Sequence, residues 1–239
     1  MFKLLVLLTL TYSFNSFAFL DGCAKDIFKV GASLDSAVFN ANRDGKELDL
    51  VSDQGLGIRL HWIVFCPESG VETTPYFYFR NYSFKSNSDF QEPPSDIESF
   101  TLGVDFSKRI SFLGSKFDLI LGLATREETI IAGASELYKR NYDNTIVTIV
   151  TIGFQKGLYS FKKAKGSFKF VAGALFADQN SVDTGFTTRI STDLLMRLSQ
   201  KYSLVFDLFL DYYDQKDRQD NIEFSRTEIG LASNFLFRF

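Results

Sequence analysis

The chain is poor in several residue types on which other classes of protein depend. Its 239 residues include 1 histidine, 1 tryptophan, 2 cysteines and 4 prolines. Proline has no backbone N–H to donate to the hydrogen bonds of a sheet. Since the chain has few prolines, long segments of it can pair as β-strands. The formal net charge of -3 gives no electrostatic reason to expect a nucleic-acid partner.

Long apolar runs are also missing. After the N-terminal segment, no run approaches the roughly 18 residues of a membrane helix, and 23% of the residues are charged, which excludes a bundle of membrane helices. The hydrophobic content of 45% excludes global disorder. Phenylalanine is the abundant residue, with 27 copies in a chain that is 16% aromatic.

The N-terminus has the pattern of a secretory signal peptide. A positive start at Lys3 precedes an apolar stretch over 4–10, and Ser16-Phe17-Ala18 places small residues at the two positions that determine cleavage. We predict a signal peptide over 1–18 and a mature domain over 19–239. The sequence 20–23 resembles a bacterial lipobox with an atypical aspartate, so lipidation of Cys23 stays open as an alternative.

Beyond this segment, apolar and polar residues alternate over long stretches. From Tyr202 to Tyr212 every second residue is apolar, and 100–106 and 117–123 repeat the pattern. Such stretches exceed the usual soluble strand of about 5–6 residues and suit a tilted membrane strand of about 9–11 residues. Ten strands are predicted, at about 27–39, 55–65, 75–84, 98–108, 116–128, 145–156, 167–177, 185–199, 202–213 and 223–239.

The predicted connections alternate in length, as they do in outer-membrane barrels with long loops on one side and short turns on the other. Those over 40–54, 85–97 and 129–144 are long and polar, whereas those over 66–74, 109–115 and 200–201 are short. The 157–166 turn is longer, and the 178–184 loop shorter, than this rule prefers. Barrels of eight or twelve strands therefore stay open as alternatives.

The last strand carries the strongest local signal. Ile229 and the four residues Leu231, Phe235, Phe237 and Phe239 share one face, while Arg226, Glu228, Gly230 and Asn234 share the other. A final strand that ends in phenylalanine after alternating apolar residues resembles the assembly signal of bacterial outer-membrane β-barrels. This resemblance implies export to the outer membrane, with membrane lipid and the barrel-assembly machinery as partners.

The predicted fold class is all-β: a closed antiparallel transmembrane β-barrel of about 10 strands over 19–239. Unpaired sheet edges are excluded in hydrocarbon, so the barrel must close. A secreted soluble barrel with its apolar face inward is the alternative, but the second face carries too many small residues for a solvated exterior. Five aromatic residues near strand ends are expected to form interfacial girdles: Trp62, Tyr159 and Tyr202 on the periplasmic side, and Tyr212 and Tyr213 opposite.

The inward face carries charges of both signs in equal number. The positive members are Lys29, Arg59, Arg80, Arg126, Lys169, Arg189, Arg197 and Arg226, and the negative members are Asp35, Asp105, Asp118, Glu128, Asp193, Asp207, Asp211 and Glu228. Because buried charges must be paired and narrow barrels are filled by side chains, we predict an ion-paired lumen. On the hairpin around 200–201, Asp207 is expected near Asp193 and Arg197, and Asp211 near Arg189.

Signals for catalysis are weak. His61 is predicted to face the lumen, as a hydrogen-bonding residue and not as a catalytic base. The chain contains no G-x-S-x-G, H-E-x-x-H, C-x-x-C or P-loop. We therefore predict no catalytic residues, no metal site and no cofactor. Cys23 and Cys66 should lie at the same end of the first hairpin, where an exported protein can form a disulfide.

Three functions follow as hypotheses. The first is a structural or narrow, non-specific pore with an ion-paired lumen. The second is a surface adhesin, or a barrel that binds a ligand through the polar loops 85–97 and 214–222. The third is an outer-membrane hydrolase. The sequence does not identify the small solute or surface ligand that would be the partner.

Overall fold

The structure is a computed structural model that describes residues 25–43, 46–83, 96–132, 141–178, 182–217 and 221–238. The predicted signal peptide, Cys23 and Phe239 lie outside these residues. The described part of the chain is all-β. It contains no helix that is long and apolar enough to cross a membrane.

Eleven strands make up the described part. They are β1 (Lys25–Arg43), β2 (Lys46–Val51), β3 (Gly55–Cys66), β4 (Val71–Ser83), β5 (Asp96–Phe112), β6 (Ser115–Ala132), β7 (Asn141–Ser160), β8 (Ala164–Ala177), β9 (Gly185–Arg197), β10 (Tyr202–Asp217) and β11 (Ile222–Arg238). Each pairs antiparallel with its neighbours.

The first and last strands close the sheet. The register between β1 and β11 runs from Ile27 opposite Arg238 to Asn42 opposite Glu223. The other edge of β1 pairs with β3 in its first half and with β2 beyond Asp35, so β2 and β3 together occupy one position in the wall. The result is a closed antiparallel barrel with ten strand positions, which confirms the predicted fold and strand number.

At one end of the barrel, the connections between described strands are all tight turns. They span 67–70, 113–114, 161–163 and 198–201. In the two-residue turn, Leu113 and Gly114 have φ of 48° and 76°, the left-handed pair that a type I′ hairpin requires. By the usual construction of outer-membrane barrels this is the periplasmic end. At the opposite, extracellular end, β4 ends at Ser83, β5 begins at Asp96, β6 ends at Ala132 and β7 begins at Asn141; residues 84–95 and 133–140 lie outside the described residues.

Three predicted connections were wrong in length. The 40–54 segment is mostly strand, because β1 continues to Arg43 and pairs there with β2; the Asp44-Gly45 sequence between them is a common hairpin signal. Within the predicted 129–144 loop, β6 continues to Ala132 and β7 begins at Asn141, so both strands extend past their predicted ends. The long 157–166 turn shortens to 161–163, with a register shift between Gly157 and Tyr159.

Side chains alternate between the outside and the interior of the barrel, most clearly on β10. On β10, Leu208 is 53% exposed and Leu210 40%, whereas Phe209 is 1% exposed and Asp211 is fully buried. Large apolar residues therefore line the outer wall, and the charges face inward. A soluble barrel would place them the other way round, so the membrane orientation of the two faces is the one observed.

The periplasmic end of the outer wall is aromatic. Trp62 stacks on Phe28 with ring centroids 5.8 Å apart, and Tyr202 lies 5.7 Å from Phe235. These positions suit an interfacial girdle. Tyr213, in contrast, was wrongly placed in the outer girdle at the other end, because it is an odd-numbered residue of β10 and points into the lumen.

Candidate functional site in the lumen

A group of buried ion pairs fills the extracellular half of the lumen. Arg80 on β4 points inward, with Nε 3.5 Å from Asp35 Oδ2 and Nη2 3.3 Å from Asp211 Oδ2. Its Nη1 contacts the Glu228 carboxylate. One guanidinium thus joins carboxylates on β1, β10 and β11.

Two further arginines complete the charge balance. Arg226 Nε lies 2.8 Å from Glu228 Oε1, and Arg189 Nε lies 3.3 Å from Asp211 Oδ1. We call the six residues Asp35, Arg80, Arg189, Asp211, Arg226 and Glu228 the Arg80 cluster. It holds three positive and three negative charges, as burial in a narrow barrel requires.

Aromatic rings complete the layer around the Arg80 cluster. The Arg126 guanidinium carbon lies 3.7 Å from the centre of the Tyr213 ring, and that of Arg59 lies 4.0 Å from Phe209. These distances are well inside the range of cation–π attraction. Four strand positions separate β6 from β10, the strands of Arg126 and Tyr213, in a barrel of ten. The side chains therefore meet across the lumen at this level.

A glycine makes this close packing possible. Gly230 lies opposite both Asp35 on β1 and Phe209 on β10. A Cβ atom built on Gly230 would overlap the Asp35 carboxylate and the Phe209 ring. The missing side chain is what lets a carboxylate and an aromatic ring share the space beside Arg80.

A cavity of about 400 Å³ extends from the Arg80 cluster, where Arg80 and Arg189 line it, into the periplasmic half of the lumen. Lys29 Nζ lies 2.8 Å from Asp207 Oδ2, and Lys169 Nζ lies 2.9 Å from Asp105 Oδ2. The side chains of this second pair are 27% and 21% exposed, so they are far more accessible than Arg80 at 5%. The two halves of the lumen are thus packed differently.

His61 lies in the wall of this cavity, as predicted from its inward position. Its ring centroid is 5.3 Å from Tyr78 and 6.1 Å from Tyr76, and its Nε2 atom is buried with no hydrogen-bond partner among the described residues. Arg59 is the neighbouring cation on the same strand. This position is inside the barrel, away from both the lipid-facing wall and the extracellular rim.

The expected pairing on the β9–β10 hairpin was half right. Asp211 lies opposite Arg189 and pairs with it. Asp207 lies opposite Asp193 but takes Lys29 as its partner, with Arg59 Nη1 4.0 Å away. Arg197 was wrongly assigned to the lumen network: it is the last residue of β9, is exposed, and its Nε donates to the Ser199 carbonyl oxygen at 3.1 Å.

Two other predicted lumen residues lie apart from the Arg80 cluster. Asp118 pairs with exposed Arg109 near the β5–β6 turn, at 2.8 Å. Asp193 accepts a hydrogen bond from the Ser167 hydroxyl. The side chain of Glu128 lies outside the described part.

Cys66 lies at the periplasmic end of the barrel. Cys66, the last residue of β3, is disulfide-bonded. The other cysteine of the chain, Cys23, lies outside the described residues. Among the described residues, no group of three or more histidine, cysteine or acidic side chains is arranged to hold a metal ion.

Several lumen residues were missed from the sequence. Phe209 and Tyr213 were overlooked because aromatic residues on β10 were expected to face lipid. Their parity could have revealed them, since both share the odd-numbered face of Asp207 and Asp211. Tyr78, whose ring lies 5.3 Å from the Arg59 guanidinium carbon, shows the same signal on β4, two residues before Arg80.

Comparisons with known proteins bear on the fold. No family model matches this chain, and no curated protein matches it. The outer membrane protease OmpT from Escherichia coli is similar in structure, with 7% identity, a TM-score of 0.53, and coverage of 90% of this chain and 97% of that one. An outer membrane channel from Pseudomonas putida F1 has 11% identity, a TM-score of 0.50, and coverage of 92% and 98%. At these identities the likeness shows the fold alone.

The outer wall supplies the location. Leu56 is 66% exposed, Ile152 57% and Ile229 54%, and they belong to strands spread around the barrel. An apolar wall above an aromatic girdle is the surface of a bacterial outer-membrane protein. Fold and surface together make this chain an outer-membrane β-barrel.

Proposed function

We propose that this protein is a narrow outer-membrane pore that is closed at rest, with the Arg80 cluster as its gate. The observation that carries the proposal is the contact of Arg80 with three carboxylates from three other strands. From β4 to β10 is four positions in a barrel of ten. The arginine thus bridges the lumen instead of lying along its wall.

The energetics favour a closed state. The Arg80 side chain is 5% exposed, and those of Asp211 and Glu228 are fully buried. Breaking a buried pair by removing one partner costs about 3–5 kcal/mol, because the other charge is left uncompensated. A solute can pass only if these pairs exchange partners or gain water. The charges of the Arg80 cluster balance, so the gate itself favours neither ion sign.

The same geometry supports a protein that is not a hydrolase. His61 lies inside the lumen beside the stacked rings of Tyr76 and Tyr78. A lipid hydrolase needs its base at the lipid-facing wall. A surface protease needs it at the extracellular rim, and His61 is on the periplasmic side of the Arg80 cluster.

The release of a small solute from proteoliposomes tests the proposal. Wild type should release glucose no faster than empty vesicles do, and Arg80→Ala should release it rapidly, because three carboxylates then draw water into the layer. Arg109→Ala is the matched control, since it removes an arginine from an exposed pair at the periplasmic turn. Rapid release by wild type, or no release by a correctly folded Arg80→Ala barrel, would refute the gate.

A further inference from the structure

A second feature of the lumen is an excess of positive charge on its periplasmic side. The cavity of about 400 Å³ runs from the Arg80 cluster toward the periplasm, and its volume is typical of small-molecule sites. A groove of about 310 Å³ adjoins it, formed by the β7–β8 turn and the ends of β9 and β11. Leu195 contributes to the walls of both, so the groove lies at the mouth of the cavity.

Among the described residues, the wall of the groove is basic and contains no acidic side chain. Its charged residues are Lys162, Lys163, Lys165, Arg197 and Arg238. Leaving out Arg80 and Arg189, which pair with carboxylates of the Arg80 cluster, the described walls of cavity and groove carry nine lysines and arginines against four carboxylates, although the whole chain has a net charge of -3. Charges of one sign around a low-dielectric cleft concentrate ligands of the opposite sign.

Inside the cavity, Arg59 has donors to spare. The residue is 3% exposed, and its Nε and Nη2 atoms have no hydrogen-bond partner among the described residues. The nearest carboxylate, Asp207, is 4.0 Å from Nη1 and is held by Lys29 and by the Asn234 amide at 2.8 and 2.9 Å. Phe209 covers the guanidinium face, which leaves the edge for a ligand.

Two neighbours extend this edge into a site. His61 Nε2, two residues along β3, is also buried without a partner among the described residues. Tyr76 and Tyr78 stack with centroids 4.8 Å apart and form an adjacent wall. Guanidinium groups bind carboxylates and phosphates through paired hydrogen bonds. A buried guanidinium edge beside an imidazole nitrogen is therefore suited to an oxyanion.

We infer that the periplasmic half of the lumen binds a small oxyanion, a carboxylate or phosphate group, between Arg59 and His61, and that the basic groove attracts it. The site needs no movement of the Arg80 cluster, so it serves equally in a closed barrel. It adds to the pore proposal a ligand that enters from the periplasm. An ion held there would lie directly below the gate.

Isothermal titration of the purified full barrel tests this inference. The protein is kept in zwitterionic detergent and a buffer free of phosphate and carboxylate, and inorganic phosphate, succinate and glucose are titrated separately. We expect saturable binding of one ion per barrel for phosphate or succinate, none for glucose, and weaker binding at higher salt. The tighter of the two anions identifies the preferred group. No saturable binding of either anion would overturn the inference.

Variants locate the site. Arg59→Gln should weaken binding at least tenfold, because it removes the charged donors. The double variant Lys163→Gln with Arg197→Gln, in the groove, should weaken binding several-fold. The control double variant Lys108→Gln with Lys116→Gln, on the β5–β6 hairpin, should leave binding unchanged. Equal losses in the groove and control variants would overturn the inference. If Arg59→Gln does not fold, the groove variants decide. Because binding is measured in detergent, failure here leaves the gate to be judged by solute release.

Discussion

In the extracellular half of the lumen every carboxylate of the Arg80 cluster contacts an arginine, and the side chains of Arg80, Asp211 and Glu228 are at most 5% exposed. In the periplasmic half, Lys169 and Asp105 also pair, but their side chains are 27% and 21% exposed around a cavity. The same types of charged residue are thus packed tightly in one half of the lumen and loosely in the other. We propose that full pairing closes the extracellular half, called the upper half below, and that incomplete pairing leaves the periplasmic half, the lower half, able to bind an oxyanion.

The largest expected effect is in the upper half. Arg80→Met keeps the length of the side chain but removes the charge that faces three carboxylates. We expect the free energy of unfolding to fall by about 3–5 kcal/mol, measured by urea titration in lipid vesicles. A loss no greater than that of Arg109→Ala would show that the Arg80 cluster does not hold the barrel together.

The next effect concerns the wall that separates both halves from lipid. Leu121 is 51% exposed on β6, at the level of inward Gly122. Leu121→Arg should cost about 2–4 kcal/mol, because it places a charge in hydrocarbon. Leu113→Arg, at an 88% exposed position in the periplasmic turn, is the matched control and should cost about 0–1 kcal/mol. Equal costs would mean that β6 does not face the membrane interior.

A smaller effect is expected in the lower half. Lys169→Met removes the partner of Asp105, but water in the cavity can solvate the carboxylate that remains. The expected loss is about 1 kcal/mol, nearer to that of surface pairs than to that of buried ones. Urea titration beside Arg80→Met measures the contrast directly. If the two methionine variants lose the same stability, the halves are not packed differently.

The smallest effect should come from the exposed ion pair near the periplasmic β5–β6 turn. Arg109 and Asp118 lie 2.8 Å apart, but the arginine side chain is 71% exposed. A double-mutant cycle with Arg109→Ala and Asp118→Ala should give a coupling below about 1 kcal/mol that disappears in high salt. A larger, salt-resistant coupling would place this pair with the buried ones.

The sequence predicted which side chains face the lumen better than it predicted their partners. On β10, the period of two places Asp207 and Asp211 inward, because only one face can meet lipid. The partner of Asp207 could not be read in the same way. It depends on the stagger of strands around the barrel, which brings Lys29 from two positions away, whereas the neighbouring-strand argument favoured Arg197.

Aromatic residues were the other source of error. An outward role was expected for Tyr213 because barrels carry aromatic girdles, but its ring lies below the Arg126 guanidinium. Buried arginines stabilised by ring faces need aromatic residues inside the barrel as well. Parity with Asp211 identifies them, and residue type alone does not.

Single-channel conductance in planar bilayers tests the central claim, that the upper half closes the lumen and the lower half does not. Wild type and Lys169→Ala should both conduct little or nothing, and Arg80→Ala should show clear channel openings. Conductance of wild type like that of an open porin would contradict this claim, and so would a Lys169→Ala barrel that opens while a correctly folded Arg80→Ala barrel does not.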